Sequence, residues 1–218
     1  PESTNDFLSV VARQRCKKPA RLNTCIDGIS VIIPTYNRSA ILRRTLAALV
    51  NQRTTVTFEV IVVDDGSSER ISDVVNDYQS VLPIRYFWQE DKGYRLSAAR
   101  NLGVENAQFS YIAILDCDMA PARDWLEAYR REIKEYGSLA FVGPRVYIDA
   151  HDYSDRALLA DPMLLQQIPQ VSTSNPFDIN SSDGVAIDWR IEDFNRSESL
   201  RLSNEPFRFF SGGNVAFD

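Results

Sequence analysis

From Ile29 onward, short apolar runs alternate with stretches whose apolar residues recur at helical spacing. Ile29 to Pro34, Phe58 to Val63, Ile84 to Trp88, Ser110 to Leu115 and Leu139 to Val142 are β-branched or aromatic, closed by Pro, Gly or Asp, and predict strands. Between the first of these, Leu42, Leu46 and Leu49 share a face behind a candidate cap at Ser39, and Ile71, Val74, Val75 and Tyr78 repeat the stripe. A further helix is predicted from about Asp124 to Tyr136, with Leu126, Tyr129 and Ile133 inward and Gly137 stopping it. Strand and helix in alternation predict an α/β fold, a largely parallel sheet with helices on both faces. Two stretches break the rhythm. Residues 1–28 carry Arg13, Arg15, Lys17, Lys18 and Arg21 with few apolar positions and predict an N-terminal extension or linker. Residues 150–186 are rich in Asp, Ser, Asn and Pro around one helical patch, Ala157 to Gln167, and predict a long functional or mobile loop.

Composition narrows the class. The 218 residues, 44% hydrophobic, suffice for one well-buried domain, assigned to 29–218. The net charge of −6 and the lack of a basic cluster argue against a nucleic-acid partner. Cys16, Cys25 and Cys117 show neither metal-type nor redox spacing and read as free thiols of a reducing compartment. No apolar stretch approaches the roughly 20 residues of a membrane span, so the expectation is a soluble, cytoplasmic chain.

In an open α/β sheet, ligands bind outside the carboxyl ends of the strands. Those ends are polar here: Pro34-Thr-Tyr-Asn-Arg38 after the first strand, Asp64-Asp65-Gly-Ser67 after the second, Asp116-Cys-Asp118 after the fourth. Carboxylates at i and i+2 off a strand end point the same way and can hold a divalent cation, whose open coordination sites suit a diphosphate. Arg95 and Arg100 lie roughly 140° apart on a helix and need not share a target. Residues 34–38 contain no glycine, which argues against a nucleotidyltransferase phosphate loop, and no Gly-X-Gly-X-X-Gly follows any strand, which argues against a dinucleotide enzyme.

Val31-Ile-Ile-Pro-Thr-Tyr-Asn-Arg38, Val62-Val-Asp-Asp-Gly-Ser67 and Leu115-Asp-Cys-Asp118 resemble the signature of family 2 glycosyltransferases with the GT-A fold. Gln89 to Gly103, Asp116 to Pro121, Gly143 to Asp149, Asp188 to Glu192 and Pro206 to Phe217 narrow the resemblance to the hexosamine-transferring domain of bacterial chondroitin and hyaluronan synthases. That resemblance implies a metal-dependent, inverting transfer of GlcNAc or GalNAc from a UDP-sugar to a glycan acceptor, with Mn²⁺ or Mg²⁺ as cofactor. It implies that Pro34, Thr35, Tyr36, Asn37 and Arg38 form the nucleotide loop, with the Tyr36 ring against uracil and Asp64 accepting from the uracil N–H. A core tyrosine is the alternative for Tyr36. Asp65 either joins the nucleotide site or caps the following helix.

The same resemblance places Gly93, Tyr94, Arg95, Arg100 and Asn101 near the diphosphate and donor sugar, and Gly212 and Gly213 at the junction of donor and acceptor. Asp116 would lie near the ribose and the metal, Asp118 would ligate the metal, and Cys117 would point into the core. Trp189 and Arg190 are candidates for the acceptor side, with a buried structural tryptophan as the alternative. The catalytic base, a Glu-Asp pair in the family, and a metal-binding histidine are expected beyond Asp218, and His151 reads as a surface residue. The implication is a domain truncated at its C-terminal end, with further domains in the parent protein that would place it at the inner membrane face. The other reading is a nucleotide-sugar-binding module without turnover.

Overall fold

A computed structural model describes residues 27–137, 140–150, 152–153, 155–161, 164–165, 167–169 and 213–218. In chain order the elements are β1 (Ile29–Thr35), α1 (Ser39–Val50), β2 (Phe58–Asp64), α2 (Ile71–Tyr78), β3 (Ile84–Trp88), α3 (Leu96–Glu105), β4 (Tyr111–Leu115), α4 (Trp125–Tyr136), β5 (Phe141–Val142), α5 (Asp155–Ala160) and β6 (Asn214–Phe217). They build a six-stranded sheet in the order β3-β2-β1-β4-β6-β5. The four strands β1 to β4 are mutually parallel, whereas β6 runs antiparallel to both β4 and β5.

Successive residues of a strand face opposite sides, so the long apolar runs feed two cores at once. Ile29, Val31 and Ile33 with Val60 and Val62 pack on Leu42, Leu46 and Leu49 of α1, Val74 and Val75 of α2, and Leu126, Tyr129 and Ile133 of α4. On the other side Ile32, Ile61, Val63 and Ile114 meet Ala99 and Leu102 of α3. Helices therefore cover both faces, as the sequence predicts. α3 sits close because Gly103 has no side chain: a Cβ there would lie 2.4 Å from Cγ2 of Ile32.

Four expectations change. Ser39 is the first helical residue of α1 and not its cap; Arg38 occupies the cap position without a side-chain bond. The Ser39 N–H donates instead to Glu69 Oε2 at 2.7 Å, so a carboxylate from the next loop satisfies the helix end and is itself held below its ordinary pKa by the Ser39 hydroxyl and then by that N–H. The five predicted strands become six, because β6 is too short to show as a pattern and is recognisable only through its partners β4 and β5. β5 spans only Phe141 and Val142 and is antiparallel. In the patch predicted from Ala157 to Gln167 the described α-helix is Asp155–Ala160; it stops before Pro162, since a proline disfavours helical backbone in the residue before it. Gly137, with φ of 73°, ends α4 as expected. No helix among the described residues is long and apolar enough to cross a membrane.

Candidate active site

The strand order reverses direction between β1 and β4, and a cleft of about 370 Å³ opens there, at the carboxyl ends of the strands. β1 contributes Pro34 and Thr35, the loop after it Tyr36 and Arg38, the end of β2 Asp65, the loop before α3 Asp91, Gly93 and Tyr94, and the turn after β4 Asp116, Cys117 and Asp118.

The first loop is held open by its neighbour. Asn37 has φ of 50°, a left-handed conformation that asparagine tolerates. Its Oδ1 accepts from the N–H groups of Ser68 (2.8 Å) and Glu69 (3.3 Å), and its own N–H donates to Ser67 Oγ (2.8 Å). With the backbone thus turned, the Tyr36 ring stands 46% exposed on the cleft, which rules out the core alternative. Its hydroxyl donates to Asp91 Oδ2 at 3.0 Å, and that carboxylate raises the phenol's pKa. Thr35 is buried on the cleft wall and its hydroxyl has no hydrogen-bond partner among the described residues.

The two consecutive aspartates divide their work. Asp64 is buried, 1% exposed, and lies off the cleft wall: Oδ1 accepts from Ser67 N–H and Oδ2 from the Tyr86 hydroxyl, each at 2.8 Å. Asp65 is the one that lines the cleft. It accepts from Gln89 Nε2 and, at 3.0 Å, from the backbone N–H of Arg95, the cap residue of α3. The expectation that Asp64 faces a base is thus corrected, because Tyr86 and the following turn enclose it. The alternative that Asp65 caps the following helix does not hold: α2 has no side-chain cap, and the carboxylate meets the Arg95 N–H ahead of α3 instead.

Asp116 and Asp118 leave the strand direction in a turn closed by Met119 N–H to Asp116 C=O, 3.0 Å. Cys117 between them is buried in the core, as expected, and burial pushes its thiol pKa up. Asp116 Oδ1 accepts from Arg100 Nη2 and Asp118 Oδ2 from Arg38 Nη1, both at 2.9 Å. The Asp116 N–H donates to the Gly213 carbonyl at 3.0 Å. Gly213 has φ of 115° and a Cβ there would lie 2.7 Å from Asp116 Oδ2, so only glycine lets this backbone pass the carboxylate. Asn214 beside it is buried; Trp125 Nε1 and the Tyr129 hydroxyl both donate to its Oδ1 at 2.8 Å, which ties β6 to α4.

Of the residues the sequence singled out, Pro34, Thr35, Tyr36, Arg38, Asp65, Gly93, Tyr94, Asp116 and Asp118 line one cleft. Asn37, Asp64, Arg95, Arg100 and Gly213 stand behind the wall and hold it. Asn101 is exposed on α3 with no place on the wall. Gly212, Trp189, Arg190 and His151 lie outside the described residues. Asp91 is not singled out by the sequence reading, although it stands two residues before Gly93 in the Gln89 to Gly103 block; its carboxylate holds both Tyr36 and the Gly93 N–H (2.9 Å).

A family model described as glycosyl transferase family 2 matches residues 30–198. The chain belongs to glycosyl transferase family 2. Chondroitin synthase of Escherichia coli is 46% identical over 217 residues, covering 100% of this chain and 32% of that protein. Hyaluronan synthase of Pasteurella multocida is 44% identical over 219 residues, covering 100% of this chain and 22% of that protein. The chain thus spans about a third or less of these relatives. Among solved structures, S. aureus TarS in complex with UDP aligns with a TM-score of 0.50 at 25% identity, over 56% of this chain and 36% of that one. The fold is the GT-A fold of family 2 glycosyltransferases.

Proposed function

We propose that this domain binds a UDP-activated N-acetylhexosamine, GlcNAc or GalNAc, together with Mn²⁺ or Mg²⁺, and transfers the sugar with inversion to a growing glycan. The observation that carries it is the convergence, at the sheet's switch point, of an exposed Tyr36 ring, the Asp65 carboxylate and the Asp116 and Asp118 pair on one wall. An aromatic face supports base stacking, and a carboxylate acceptor suits the uracil N–H, which cytosine lacks. The names of the relatives, synthases of chondroitin and hyaluronan, and the UDP complex of TarS support the donor class.

The lining also fits a cation. Among the described residues, Asp65, Asp91, Asp116 and Asp118 face the cleft and Arg38 is the one basic residue of the lining, so a diphosphate would meet net negative charge there. Asp116 and Asp118, hard oxygen ligands with side chains 32% and 50% exposed, would hold the ion, and water and diphosphate oxygens would complete its shell. When bound, such an ion stabilises charge on the departing UDP. The chain's own residues orient the nucleotide through Tyr36 and Asp65, and Arg38 and Arg100 add positive charge near the diphosphate. Inverting transfer also needs a base for the acceptor hydroxyl. Each cleft carboxylate is already partnered: Asp65 by Gln89 and Arg95, Asp91 by Tyr36 and Gly93, Asp116 by Arg100, Asp118 by Arg38. The base is therefore left unassigned among the described residues.

Calorimetry with UDP and Mn²⁺ tests the reading. Binding is expected in the wild type and is expected to weaken at least about tenfold in Asp118→Asn, a loss of about 1.4 kcal/mol. No binding, or binding indifferent to Asp118→Asn, overturns it. The partnered state of every cleft carboxylate also supports a second reading, a nucleotide-sugar-binding module without turnover, which slow UDP-sugar hydrolysis by this chain would exclude.

A further inference from the structure

We propose that Arg38 and Arg100 are resident counter-ions of the acidic pair, which a divalent cation must displace, so that the cation and a nucleoside diphosphate bind this cleft cooperatively. The inference rests on the reading above and adds the order of charges within it.

Both carboxylates are occupied by a guanidinium through one short contact each: Arg38 Nη1 to Asp118 Oδ2 and Arg100 Nη2 to Asp116 Oδ1, 2.9 Å apiece. A cation placed across Asp116 and Asp118 therefore meets two positive charges already there. With no other ligand present it must push them off, and the displaced guanidinium groups lose their paired carboxylates. A diphosphate changes that balance, because its oxygens accept from the planar fork of arginine. Each ligand then removes the obstacle to the other: the cation frees the arginines for the anion, and the anion draws the arginines away from the carboxylates.

The two pairs differ in how firmly they are held. Arg38 and Asp118 have side chains 49% and 50% exposed and can part without burying an unpaired charge. Arg100 and Asp116 are at 21% and 32%, and the Arg100 Nε is buried without a partner among the described residues, so this pair is the stiffer one. Arg38 is also itself on the cleft wall, one residue from Asn37, whose bonds to Ser67, Ser68 and Glu69 fix the loop. Its head group can swing while its backbone stays. Reciprocity requires that UDP strengthen cation binding by the same factor by which the cation strengthens UDP binding.

The experiment titrates Mn²⁺ into wild type, Arg38→Gln and Arg38→Lys, followed by water proton relaxation, with and without saturating UDP. Removing one half-exposed opposing charge should make Arg38→Gln bind Mn²⁺ alone about two- to fivefold more tightly than wild type, the range of exposed ion pairs. The enhancement of Mn²⁺ affinity by UDP should shrink by at least that factor. Arg38→Lys, which keeps the charge and loses the fork, should hold Mn²⁺ alone at the wild-type level and recover only part of the enhancement. Unchanged or weaker Mn²⁺ binding by Arg38→Gln, with a wild type that binds Mn²⁺ and UDP together, overturns the counter-ion role and leaves the functional reading intact. A wild type that binds neither overturns both.

Discussion

An acidic side chain meets an arginine at each end of this sheet, and the two meetings have opposite characters. At the amino ends of the parallel strands Glu59 is closed in on every side. Its Oε1 accepts from Ser30 Oγ (2.7 Å) and Gln108 N–H (2.6 Å), its Oε2 from Arg85 Nη1 (3.0 Å), and its side chain is 5% exposed. Arg85 is further occupied by the Asn106 carbonyl at 2.7 Å and lies over the Phe87 ring. At the carboxyl ends, Asp116 and Asp118 each make one short contact to an arginine and stay accessible. The same chemistry is saturated at one end and left with open acceptor sites at the other. Saturation buried in the fold holds strands in register; unsaturated carboxylates facing a cleft are able to exchange partners with a ligand.

Breaking the closed end should have the largest effect. Glu59→Ala leaves Ser30, Arg85 and the Gln108 N–H without their acceptor and should lower unfolding free energy by about 3 kcal/mol, measured by urea denaturation. The folded fraction should keep wild-type affinity for UDP with Mn²⁺, since the change lies at the far end of the strands. A parallel loss of affinity would show that the two ends are not separate.

Gly213→Ala sharpens the contrast from the open end. With φ of 115° and Asp116 Oδ2 2.7 Å from the new methyl, strain and displacement of the carboxylate come together. Stability should fall by about 1–2 kcal/mol, while calorimetry should show affinity for UDP with Mn²⁺ falling about tenfold or more. A variant equally destabilised but with intact affinity would make the glycine merely structural.

The smallest effect concerns a third carboxylate, away from both ends. Contact with Arg130, aided by the Thr55 N–H, holds Glu127 down at about 2, from an ordinary 4.5. Its folded pKa lies below its unfolded one, so its stabilising contribution is fully present above about pH 4.5 and is lost as pH falls towards 2. Glu127→Gln should flatten that part of the stability curve and leave pH 7 binding untouched, as read from thermal melts across the window.

Much of this was legible in the chain. The β-branched runs and leucine stripes predicted β1 to β4 and helices α1, α2 and α4, because periodicity reports burial directly. Polar residues at the ends of β1, β2 and β4 predicted the cleft, because a parallel sheet brings all its carboxyl ends to one rim. The contributions of single side chains there were less legible. Asp64 and Asp65 are adjacent and chemically identical, yet the position of Tyr86 on β3 decides which one is enclosed. Asn37 looks like a ligand residue and is a brace, since its partners Ser67 to Glu69 lie some thirty positions away in sequence.

By itself the sequence determined the alternation of elements, the family and the carboxylates at the strand ends, all of which are local or periodic properties. Tertiary structure alone decided that β6 returns antiparallel beside β4, that Gly213 presses on Asp116, and that Arg38 and Arg100 reach the acidic pair from different elements. Such contacts join residues with no pattern between them, and only the closed chain brings their charges within 3 Å or so of one another.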